Sequence, residues 1–134
     1  MDKQRYDDAS ERATFPYYRE FDSVRPRFLN ECVEAFTHAH RSCLQAVRYI
    51  NSGAVPLENS GLHQALCGCA RTLNSATEHI LLQPELSSVA LQKVGSACDY
   101  ALYRLGTLGP TAETDPILAV AAQSIIRAQQ LSQE

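Results

Sequence analysis

The sequence predicts an all-α protein, a four-helix antiparallel bundle preceded by an N-terminal aromatic arm or short extra helix. Three observations carry this expectation. Apolar residues recur at three- and four-residue spacing in four separate stretches, Gly and Pro punctuate the intervals between them, and no stretch shows the period-two alternation of a strand. A chain of 134 residues is long enough for one core and short for two. The expected organisation is an arm over residues 1–25 and a bundle domain over residues 26–134.

The arm is set apart by composition. Residues 1–27 hold six Lys/Arg and six Asp/Glu, against six and nine in the remaining chain. Five of the ten aromatic residues, Tyr6, Phe15, Tyr17, Tyr18 and Phe21, cluster around Pro16 without helical periodicity. A short helix over about Asp7 to Ala13, followed by an extended segment, fits this pattern.

The strongest helical stripe is Leu29, Cys32, Val33, Phe36, His40, Cys43, Leu44, Val47 and Ile50. Its start is expected between Asp22 and Pro26, since proline is tolerated in a first turn, and Asn51-Ser52-Gly53 supplies its stop. After a loop containing Pro56, Asn59 or Ser60 can cap a second helix with the stripe Leu62, Leu66, Cys69, Leu73, Ala76 and Ile80, which Pro84 ends. A third helix is expected from about Ser87 through Val89 or Ala90, Val94, Ala97 or Cys98, Ala101, Leu102 and Leu105, with Gly106 in the left-handed terminal position. The fourth has the clearest start, Asp115 as cap and Pro116 as first helical residue, followed by Ile117, Leu118, Ala121, Ile125, Ala128 and Leu131. Gly68 and Gly95 fall inside helices two and three, either to let two backbones approach or simply as weak points.

Composition narrows the function classes. A net charge of -3 and a pI near 5.8 give no field for gathering phosphate backbones or anionic lipid, so nucleic acid is not an expected partner. No apolar run approaches the roughly 18 residues that cross a bilayer, and the charged opening MDKQRYDDASERA is unlike a signal peptide, so the expectation is a cytoplasmic protein with no membrane partner. Five cysteines form no repeating framework, which favours reduced thiols. Two lysines beside ten arginines fit a GC-rich bacterial genome.

Two constellations carry candidate chemistry. His40 with Cys43, and His63 with Cys67, are spaced three and four apart, so each pair shares a helix face, and facing pairs could complete a tetrahedral zinc or copper site. No other cofactor is expected. The segment Leu66-Cys67-Gly68-Cys69-Ala70-Arg71-Thr72-Leu73-Asn74 loosely resembles the Leu-Lys-Gly-Ser-Ala-x-x-Leu-Gly segment of histidine phosphotransfer domains, four-helix bundles of similar length. That resemblance implies a phosphotransfer or degenerate receiver-binding role. It departs at two positions: the phosphoacceptor place is Gln64, with His63 one residue early, and the lysine place is Cys67. A small apolar ligand between the helices would instead use a cavity along Leu66, Cys69, Val94 and Cys98.

Catalytic signatures are missing from the sequence: there is no glycine-rich phosphate loop, His-Glu-x-x-His or nucleophile elbow. Glu31 with Glu34, and Glu78 with His79, read as solvated surface. The expected function is therefore a non-catalytic protein-interaction or regulatory module that self-associates as a homodimer. Tyr17, Tyr18, Arg19 and Phe21 in the arm are its expected partner-binding residues, because aromatic anchors and a planar cation are the side chains that dominate binding hot spots.

Overall fold

The computed structural model describes residues 16–53 and 60–134, with the side chains of residues 16–25, 60, 110 and 113 outside the described set. The described residues form α1 (Pro16–Asn51), α2 (Ser60–Leu82), a 3₁₀ turn (Pro84–Leu86), α3 (Ser87–Gly106), a one-turn α4 (Pro110–Thr114) and α5 (Pro116–Ser132), with no strand among them. By internal contacts the chain divides into residues 1–31 and residues 32–134. In the first unit, the described residues are the opening of α1; the expected short helix over Asp7 to Ala13 lies outside the described residues.

Helix α1 begins earlier than the sequence suggested. Its backbone is helical from Pro16, so residues 16–25 are not the expected extended segment. Pro16 has a backbone angle already suited to a first helical turn, and Pro26 is carried inside the helix at the loss of one backbone hydrogen bond. The helix stops where expected. Gly53 adopts φ +81°, which only glycine reaches without strain, and its amide bonds the Ile50 carbonyl at 3.1 Å.

The four long helices of residues 32–134 pack against one another as a bundle. At mid-height His40 Nδ1 on α1 meets the Ala70 carbonyl on α2 at 2.9 Å. The amide of Gln83 reaches back to His79, and Pro84–Leu86 then reverses the chain within a few residues, so α3 packs antiparallel on α2. Helix α5 packs on α3, and Tyr49 near the end of α1 bonds Asp115 at the start of α5. The sequence-derived stripes turn inward: Phe36, Leu62, Leu66, Leu73, Val94, Leu118, Ile125 and Leu131 are fully buried. Between them Ala39, Ala46, Ala65, Ala101, Ala121 and Ala128 are also buried, and such small side chains let the helix axes lie close.

Two local expectations are corrected. Gly106 is the last residue of α3 and is not left-handed; Thr107 keeps a helical φ of -68°, and Gly109, at φ +63°, makes the reversal into α4. The three residues after the helix still satisfy backbone bonds to Tyr103, Leu105 and Gly106, so the chain has no need to turn at the first glycine. Gly68 faces open space, and a Cβ at Gly95 would meet only the Ser132 hydroxyl at 3.2 Å. The close approach is at Gly61 instead, beneath the Arg104 guanidinium.

Candidate functional site

The four residues expected to form a metal site do not come together as one group. His40 is committed to the Ala70 carbonyl, which its Nδ1–H tautomer donates to. His63 Nε2 and Cys67 Sγ, one turn apart on α2, face each other at 4.0 Å and are half-buried. Cys43 is fully buried in the core. Among the described residues, no group of three or more His, Cys, Asp or Glu is placed to hold a metal ion.

In the core, Cys43 of α1, Cys69 of α2 and Cys98 of α3 form a chain of thiols with Cys69 in the middle. They are 0%, 1% and 0% exposed. Cys43 and Cys98 both interact with the Cys69 sulfur, and that contact, reinforced by burial, pushes both well above the ordinary thiol range. The two contacts pull Cys69 the other way, Cys43 more strongly than Cys98, while burial opposes them. Sequence spacing singled out Cys43 with His40, His63 and Cys67, while its strongest neighbour in the core is Cys69, because the register between helices decides which cysteines meet. Cys69 and Cys98 were legible only as buried stripe positions. Leu66, Cys69, Val94 and Cys98, the expected lining of a ligand cavity, are all fully buried.

The outer face of α2 and α3 is built differently. Arg71, Ser75 and His79 repeat every four residues along α2, and with Thr72 they line one wall of a groove of about 270 Å³. Val89 and Lys93, four apart on α3, line the other wall, with Ala76 and Ala90 between. Three basic side chains line this groove and no carboxylate does. His79 Nε2 is buried there without a hydrogen-bond partner among the described residues.

At the end of that face the chain exposes large apolar side chains. Leu81 is 64% exposed, Leu82 80%, Leu86 50% and Val89 52%. The geometry follows from the reversal: Gln83 and the 3₁₀ turn are too short to fold any segment back over the ends of α2 and α3. Farther along α3, Tyr100 and Tyr103 are exposed, with the Arg104 guanidinium 6.0 Å from the Tyr100 ring centre.

Of the other sequence-derived candidates, Gln64, at the phosphoacceptor place of the phosphotransfer resemblance, is exposed, and His63 beside it is turned toward Cys67. The side chains of Tyr17, Tyr18, Arg19 and Phe21 lie outside the described residues. No helix among the described residues is long and apolar enough to cross a membrane. No protein-family model matches the chain, and neither a curated protein nor a solved structure matches it.

Proposed function

We propose that this bundle is a non-catalytic protein-interaction or regulatory module that associates with a second copy of itself. The observation that carries the reading is the exposure of Leu81, Leu82, Leu86 and Val89 at the reversal between α2 and α3. Scattered exposed leucines are ordinary, but four large apolar side chains within one short reversal form a surface that water disfavours and a partner would cover. The Ser, Thr, Gln and Asn of the neighbouring helix surfaces offer little charge repulsion against association. Five free cysteines support a reducing, cytoplasmic setting.

Native mass spectrometry and sedimentation velocity of the reduced protein test this reading. The wild type is expected as a dimer at micromolar concentration, and Leu82→Ser with Leu86→Ser as a monomer of unchanged helicity. A wild type that stays monomeric, or a double variant that dimerises as well as the parent, would count against it.

A second reading, a thiol-based site, is supported by the meeting of Cys43, Cys69 and Cys98 in the core. Reversible oxidation of that trio in folded protein, read by intact mass, would favour it; thiols that react only on unfolding would assign the trio to packing.

A further inference from the structure

We propose that the α2–α3 face is a self-complementary dimer surface, in which Glu85 of each copy enters the basic groove of the other between Arg71, His79 and Lys93. The proposal rests on the self-association reading and specifies its geometry. Two features of one face combine to support it.

The first is charge. The groove gathers Arg71, His79 and Lys93 with no carboxylate in its lining, while Glu85 stands exposed in the 3₁₀ turn beside the apolar end. A surface that carries a basic groove and, beside it, an exposed acid is the pattern a twofold interface requires, since each patch must meet its complement on an identical chain.

The second is register. Leu82 continues the stripe of Arg71, Ser75 and His79 along α2, and Val89 and Lys93 continue from Leu86 along α3. The face therefore runs from apolar at the turn to basic farther in. Lys93 lies six residues into α3, about 9 Å from its start, and Arg71 lies eleven residues, about 16 Å, from Leu82. A twofold axis passing between Leu82 and Val89 places the leucines of both copies against each other. The same operation carries the turn of each copy onto the end of the other's groove nearest the turn, where His79 and Lys93 stand.

Charge reversal tests the pairing on full-length reduced protein, with sedimentation velocity for affinity and native mass spectrometry for composition. Glu85→Lys alone, and Arg71→Glu with Lys93→Glu, are each expected to weaken dimerisation about tenfold or more with unchanged circular dichroism. An equimolar mixture of the two is expected to restore a dimer of mixed mass, because each then presents the charge the other lacks. If a reversal variant unfolds, Glu85→Gln replaces it and is expected to weaken the dimer severalfold. Charge variants that dimerise as tightly as wild type, or a mixture with no mixed dimer, overturn the proposal. Should the wild type dimerise through Leu82 and Leu86 yet ignore these charges, self-association survives and only the pairing fails; a monomeric wild type removes both.

Discussion

The hydroxyl of Tyr49, near the end of α1, donates to Oδ2 of Asp115, whose Oδ1 accepts the amides of Ile117 and Leu118 at 3.0 and 3.2 Å at the start of α5. One carboxylate thus caps a helix and ties it to the helix beside it. The Tyr49 hydrogen bond, then the two backbone amides, hold its pKa below the ordinary carboxylate value of 3.8 despite some desolvation. Because the folded state lowers this pKa, the stabilisation is present above the ordinary value and is lost as pH falls through the depressed one. Asp115→Asn is expected to melt a few degrees below wild type at neutral pH, with the gap closing as pH falls from about 5 toward 2. Thermal melts across that range check it, and a gap constant with pH would refute the charge argument.

That cap shows which parts of the fold were legible in the sequence. Asp115 followed by Pro116 is a local signal, and so are the Asn51-Ser52-Gly53 stop and the apolar stripes; each depends on neighbours within one or two turns, and each reappears in the structure. The link from Asp115 to Tyr49 spans 66 residues and leaves no local trace. The thiol trio is illegible for the same reason. His40 and Cys43 share a region of α1 in the sequence pattern, yet a small rotation about the helix axis sends one to a carbonyl of α2 and the other into the core. The opening of α1 was misread because proline and clustered aromatics resemble an arm when only local propensity is weighed. The basic groove needed two helices in register, with Arg71 and Lys93 separated by the whole reversal.

Glycine substitutions separate weak helix positions from close approaches. A Cβ at Gly68 meets nothing, so Gly68→Ala removes backbone freedom from the unfolded chain without a steric penalty and is expected to stabilise the protein by about 0.5–1 kcal/mol. At Gly61 a Cβ would collide with the Arg104 guanidinium, the far end of a flexible side chain. Gly61→Ala is therefore expected to gain little or lose stability, because Arg104 must leave its place. Urea unfolding of both variants checks the contrast, and a stabilisation at Gly61 equal to that at Gly68 would refute it.

Thiol labelling reads the core directly. Cys32, Cys43, Cys69 and Cys98 are buried, and Cys67 is the one half-buried thiol of the five. Alkylation requires the thiolate to reach solvent, so folded reduced protein is expected to take up one equivalent of iodoacetamide quickly, at Cys67, and the remaining four only on unfolding. Peptide mapping at short times identifies the site. Rapid modification of Cys43 or Cys98 would mean that the core opens far more readily than its packing implies.

The trio itself makes a stronger demand, since two of its sulfurs share the third as partner. Cys69→Ala removes the partner of two buried thiols and leaves a small void, and is expected to cost about 1–3 kcal/mol, whereas Cys67→Ala at the half-buried position stays within about 0.5 kcal/mol. Replacing Cys43 by alanine removes the same hydrogen bond from its other end. Once Cys69 is alanine, that second change has no bond left to break, so the double variant is expected to fall short of the sum of the two single losses. A denaturant-unfolding cycle over Cys43 and Cys69 measures the difference, with Cys32→Ala and Cys69→Ala as the comparison. Strict additivity for Cys43 and Cys69 would mean that the sulfurs merely fill volume and that the hydrogen-bonded chain through α1, α2 and α3 contributes nothing of its own.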